Sequence, residues 1–108
     1  MASILGRFTK TDVERKQYTV DYSSWLGENE VLIGVVTLID LMNADEVTDT
    51  TPLLVEAAVL SSDLASVTII VDNGTIDGVY VITLLASTTI TQLKEDGIQI
   101  TVTSGVVE

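Results

Sequence analysis

The chain contains no cysteine and no histidine. Without cysteine there is no disulfide to staple the fold and no thiolate to act as nucleophile or metal ligand. Without histidine the commonest general base and the commonest zinc ligand are missing, and neither a Ser-His-Asp nor a Cys-His arrangement can be assembled from one chain. Positive charge is scarce: 5 Lys and Arg stand against 16 Asp and Glu, a formal net charge of −11. A body of that sign repels phosphates and anionic headgroups, so neither nucleic acid nor membrane is expected as a partner. No apolar run reaches the roughly 18 residues a membrane-spanning helix needs. Met1 to Gly6 carry neither the basic run nor the apolar stretch of a signal peptide. There is no HExxH, no glycine-rich phosphate cradle and no basic-aromatic stripe. No catalytic residue, metal ligand or cofactor site is expected.

What fills the chain instead is Val, Ile and Thr, which make up 40 of its 108 residues. Branching at Cβ restricts these side chains at little cost in a strand and suits them to a pleated surface. The length fits one domain with one core. Tyr18, Val20 and Tyr22 alternate with polar neighbours and predict a half-buried first strand. Trp25 and Leu26 then fold back over the end of the sandwich, after a turn that Ser23 can cap. Val31 to Leu41 and Val79 to Ala86 are long strands with two apolar faces. Val67 to Val71 and Ile98 to Val102 alternate more cleanly. The Asn73-Gly74 pair, which tolerates positive φ, stops one strand, and Lys94 to Gly97 is expected to turn into the last. Pro52, the single proline, belongs at a strand margin because it lacks a donor. Leu54, Ala57, Ala58 and Ser61 have helical spacing, so a short helix competes with a strand there.

No helix of crossover length separates these runs. The pattern predicts an all-β fold, an immunoglobulin-like antiparallel two-sheet sandwich of six to seven strands. Ile33, Val35, Val71, Val81, Ile100 and Val102 are its expected core. Asp77-Gly78-Val79-Tyr80 matches the entry to a late strand of such domains, where a tyrosine hydroxyl bonds back to the preceding turn. The acidic stretch from Asn43 to Pro52, with Asp45, Glu46 and Asp49, is expected to be a solvated loop rather than a calcium site, because hard cations want six or more oxygens. Glu28 with Glu30 and Asp72 with Asp77 are carboxylate pairs of the kind that many acids on a small domain produce by accident. Asn73-Gly74-Thr75 has the form of a glycosylation acceptor and is expected to stay unmodified.

Charge divides the chain in two. Residues 1–16 hold Arg7, Lys10, Arg15 and Lys16 against Asp12 and Glu14, a formal +2, whereas residues 17–108 carry −13. Residues 1–16 are therefore expected to form an extended N-terminal arm, and residues 17–108 the sandwich. Ile4, Leu5 and Phe8 give the arm apolar groups to bury on a neighbour. Arg7, Lys10, Arg15 and Lys16 give it charge complementary to an acidic partner. These seven residues are the expected protein-protein interface. The surplus apolar surface on the two long strands points the same way, to an assembled subunit.

Several segments resemble a known family. Phe8-Thr9-Lys10, Glu14-Arg15 and Tyr18-Thr19-Val20-Asp21-Tyr22-Ser23-Ser24-Trp25-Leu26 are similar to the opening of the phage fiber–tail adaptor proteins. Gly78-Val79-Tyr80-Val81-Ile82-Thr83 and Lys94-Glu95-Asp96-Gly97-Ile98-Gln99-Ile100 resemble later strands of that family. The resemblance implies a small immunoglobulin-like virion protein, without catalysis or cofactor. It would be assembled in the bacterial cytoplasm into the phage tail, joining a tail fibre or spike to the tail or baseplate. Its partners would be other virion proteins and neighbouring copies of itself. A capsid decoration (cement) protein would share the fold and the acidity. A carbohydrate-binding adhesin module would need exposed aromatics, for which Trp25 is the first candidate.

Overall fold

A computed structural model describes residues 3–56 and 58–105. Their regular structure is all β: β1 (Ser3–Thr11), β2 (Lys16–Asp21), β3 (Leu32–Leu41), β4 (Leu53–Val55), β5 (Val59–Leu60), β6 (Ser66–Asn73), β7 (Val79–Thr88) and β8 (Leu93–Thr103). One sheet has the order β1-β8-β7-β3 and the other β2-β6-β4, with β5 also on β6. All pairings are antiparallel except β1 on β8, which is parallel. β4 and β5 lie end to end along one edge of β6, facing Val71–Asn73 and Val67–Thr68. They amount to one edge strand in two pieces, β4 ending at Val55 and β5 beginning at Val59. Where a helix competed with a strand, the described residues are extended; Ala57 lies outside them. Pro52 immediately precedes β4, where its missing donor breaks no ladder bond.

The clean alternation on β6, β7 and β8 builds the core. Ile69, Val71, Tyr80, Ile82, Leu84, Ile98, Ile100 and Val102 are buried together with Leu53. A second cluster of Tyr22, Leu32, Val67 and Ala86 fills one end, with Trp25 and Leu26 folded onto it as expected. Of the expected core residues, Val71, Ile100 and Val102 are fully buried and Val35 packs against the main cluster. Two need correction. Val81 lies on the outer face, because in the register with β8 Tyr80 opposes Ile100 and Ile82 opposes Ile98, both inward pairs. Ile33 is exposed because β3 carries a bulge: Leu32 opposes Thr88 and Gly34 opposes Ser87, leaving Ile33 as the extra residue. The bulge inverts the alternation, so Leu32 and Val35 both point inward. The last hairpin is also tighter than expected. Its turn is at Thr89–Gln92, with Thr91 in the left-handed region (φ 63), and Lys94 to Gly97 are already strand.

The tyrosine corner forms. The Thr75 backbone N–H donates to Tyr80 Oη at 2.9 Å, and Tyr80 Oη donates to Asp49 Oδ1 at 2.7 Å. Thr75 Oγ1 donates to the same carboxylate oxygen. Asp49, expected in a solvated loop, thus ties the acidic loop to the entry of β7. Asn43 adds two bonds, accepting from Val79 N–H and donating to Asp77 C=O. Gly78 sits inside this corner, where an added Cβ would meet Thr75 C=O at 2.9 Å. Gly74 has φ +106, and a Cβ there would meet Val102 at 2.7 Å, so the Asn-Gly stop is required both by conformation and by space.

Tyr22 is the counterexample. Its hydroxyl is buried with no hydrogen-bond partner, beside Asp96, which is itself buried and has Lys94 Nζ 3.5 Å away. Burial, and then the Asp96 charge, push the Tyr22 phenol from 10.0 up to about 12. The folded state therefore holds a proton that the unfolded state gives up between those values. This contribution is whole below pH 10 and is lost as pH rises towards 12. Two substitutions should separate the tyrosines. Tyr80→Phe leaves a backbone donor and a carboxylate without their partner and is expected to destabilise by about 2 kcal/mol. Tyr22→Phe removes an unsatisfied hydroxyl and is expected to be neutral or stabilising by up to about 1 kcal/mol, with a flatter loss of stability above pH 10. Urea unfolding of both variants at neutral and alkaline pH checks this.

Candidate protein-binding surfaces

β1 runs along the open side of β8 and brings the expected interface residues onto the body. Phe8 stacks on Tyr18 of β2 with ring centroids 4.8 Å apart, a tilted pair that spans the gap between the two sheets. β1 bulges at Leu5, since Ile4 opposes Gly97 and Gly6 opposes Ile98. The bulge turns Leu5 towards a groove of about 480 Å³ that runs between the β1 and β2 edges. Leu5, Phe8, Tyr18, Val20 and Ile98 form its apolar lining, and Gln17, Thr19 and Asp21 its polar rim. Leu5 and Phe8 remain 49% and 42% exposed. Burial, and after it Glu14, raises the Tyr18 phenol above its usual value.

The basic residues are placed differently from the expectation that they reach for an acidic neighbour. Lys10 is fully buried, and its Nζ donates to Thr11 C=O at 2.7 Å and to Asn73 C=O. Burial lowers its pKa, opposed by Asp72, Glu14 and Asp12. Arg15 bridges Glu56 and Asp72, both on the second-sheet side, and its pKa is raised by them. Lys16 pairs with Glu14 at 3.2 Å. Glu14 is held below the usual carboxylate range by the Thr11 N–H and then by Lys16. Arg7 lies in the ladder opposite Gln99, and its exposed side chain makes no hydrogen bond or ion pair among the described residues. Of the seven expected residues, Leu5 and Phe8 meet in the groove. Ile4 is half-buried beside Gly97, and Lys10, Arg15 and Lys16 are engaged within the chain. Arg15 thus meets acids of the protein's own body, Lys16 an acid of its own segment, and Lys10 backbone carbonyls.

A second exposed apolar surface lies on the opposite flank. Ile33, Val36 and Leu38 of β3 are 61%, 60% and 53% exposed. Ile39 is exposed too, although it opposes the inward Ile82, because the divided β4–β5 edge gives β3 little cover. β3 pairs only with β7; beyond Leu32, whose N–H donates to Leu64 C=O at 2.8 Å, its other edge has no strand partner among the described residues.

The carboxylates do not converge. Glu30 is buried, accepting from Thr88 Oγ1 at 2.6 Å and from Gly27 N–H at 2.7 Å, and so is separated in role from exposed Glu28. Asp72 is engaged with Arg15, while Asp77 occupies a left-handed turn position. Among the described residues no group of three or more His, Cys, Asp or Glu is placed to hold a metal ion. No helix among the described residues is long and apolar enough to cross a membrane. Trp25 packs edge-on against Tyr22, and Lys94 Nζ lies 5.6 Å from its ring centre. No family model matches the chain, and no curated protein matches it significantly.

The buried roles were not readable from composition. A Lys and a Glu inside a small domain carry no local sequence signal that distinguishes them from exposed ones. Lys10 is the sharpest test. Lys10→Ala leaves two carbonyls without a donor and opens space beside Asn73, and is expected to cost about 2–4 kcal/mol. Arg15→Ala removes only a half-exposed network and is expected to cost less than about 1 kcal/mol. Thermal and urea unfolding of the two variants measures the difference.

Proposed function

We propose that the chain is a non-enzymatic structural protein of a phage virion, an adaptor that joins a tail fibre or spike to the tail or baseplate through protein-protein contacts. The observation that carries this reading is the presence of two separate exposed apolar surfaces on one small sandwich. The groove at Leu5, Phe8 and Tyr18 lies on one flank, and β3 with Ile33, Val36 and Leu38 on the other. A subunit that links two partners needs two such surfaces, and exposed apolar patches commonly mark protein-protein contacts. The resemblance of residues 8–10, 14–15, 18–26, 78–83 and 94–100 to the fiber–tail adaptor proteins supports the same reading. The groove side is assigned to the tail or baseplate component.

The sandwich is further proposed to be immunoglobulin-like. The order β3-β7-β8 in one sheet and β2-β6-β4 in the other reproduces the C-F-G and B-E-D order of such domains, with β1 transferred from the B edge to the G edge. Tyr80 at the start of β7, bonded back to Thr75, supports it. The carbohydrate reading loses its main support, since Trp25 is packed on the core and Phe8 and Tyr18 on each other.

Immunogold electron microscopy of intact virions, with antibody raised against the chain, tests the assignment. Gold at the tail end is expected. Gold over the capsid shell would convert the reading to a cement protein, and virions without label would overturn it.

A further inference from the structure

We propose that the open edge of β3 accepts a β-strand from a partner protein, and that this strand is uncharged over about eight residues and flanked by Lys or Arg at both ends. The proposal deepens the adaptor reading and rests on it for the existence of a partner.

Natural sheets guard an exposed edge with lysines, prolines, short strands or a covering segment. β3 is ten residues long, is paired on one side only, and contains no Lys, Arg or Pro. Its bulge at Ile33 lies at the beginning, so Gly34 to Leu41 keep an unbroken ladder with β7 and present an open edge of the same length. The side chains along that stretch offer Val36 and Leu38 on the outer face and Ile39 on the partly uncovered inner face. An added strand with alternating apolar residues gains main-chain bonds along the edge and apolar contact on alternate positions.

Charge decides the occupant. From Val31 to Ile39 the strand is uncharged, but Glu28 stands exposed before it and Asp40, Asp45 and Glu46 stand exposed at its far end. From Gln17 to Leu93 the chain contains no Lys or Arg at all. A second copy in antiparallel register would bring its Asp40 end beside Glu28 at both ends of the joint, and in parallel register Asp40 beside Asp40. Like charges opposed in this way disfavour the pairing. A strand with basic ends meets acids at both ends and the uncharged edge between them.

Two synthetic peptides serve as probes, each with an eight-residue alternating Val-Thr core, one flanked by paired Lys and the other by paired Glu. Amide chemical shifts of the labelled full chain report where each binds and how tightly. The Lys-flanked peptide is expected to shift β3 and β7, to bind roughly tenfold or more tightly than the Glu-flanked one, and to weaken with salt. The exposed double substitution Val36→Lys with Leu38→Lys is expected to weaken binding at least tenfold. Glu28→Lys with Asp40→Lys, both on exposed positions, is expected to reverse the preference between the peptides. Equal binding of both peptides, no binding, shifts confined to the β1–β2 groove, or a dimer of the chain protected along β3 would each overturn the proposal. Because the assay is done on the isolated chain, its failure with gold at the tail end would leave the adaptor reading standing.

Discussion

The parallel ladder between β1 and β8 is the interaction on which the rest of the architecture depends. It places the first strand on the edge of one sheet directly across from the first strand of the other, and the Phe8–Tyr18 contact then closes the gap. It also carries Lys10 into the interior, where its ammonium can reach the carbonyl that ends β6. A basic group buried against backbone carbonyls, with Asp72, Glu14 and Asp12 acting on it only through space, depends on hydrogen-bond geometry, so its register on β8 has to be kept. Without this ladder neither the groove nor the Lys10 bonds exist, and the inner side chains of β8 lose a flank.

The two sheets are unequal, and that inequality shapes the surface. The β1-β8-β7-β3 sheet has four long strands and a well-packed inner face, whereas its opposite number ends in the divided β4–β5 edge. The short edge covers the middle of the sandwich and leaves β3 overhanging. Ile39, on the inner face of β3, therefore stays partly in water, whereas Val36 is exposed because it points outward and Ile33 because of the bulge. The groove on the other flank has a different origin, a bulge at Leu5 that opens two otherwise adjacent edges.

Much of the fold was legible in alternation alone. β2, β6 and the last part of β8 have one apolar and one polar face, and a period of two then states which side is buried. β3 and β7 are apolar on both faces, so facing there is set by register with a neighbour, which local sequence does not carry. Val81 and Ile33 fall on the wrong side for that reason, the latter through a one-residue bulge with no marker beyond the following glycine. The Tyr80 corner was readable because its turn chemistry is local. Lys10 and Glu30 were not, because their partners lie 63 and 58 residues away. Of the candidate surface, Leu5 and Phe8 were visible as apolar groups in a basic segment. The edge of β3 was visible as surplus hydrophobicity, but its being an edge depends on sheet order.

The pairing of Ser3 with Asp96 at the beginning of the ladder also has a temporal meaning. β1 is synthesised some ninety residues before β8, its ladder partner among the described residues, so it waits for that partner while β2 to β7 arrange themselves. During that wait any β8 will do, including one on a neighbouring nascent chain. Closure in cis is favoured only by the short connection from Thr11 to Lys16 that tethers β1 beside β2. A four-residue tether thus stands between closure of the ladder within one chain and an exchange of first strands between copies.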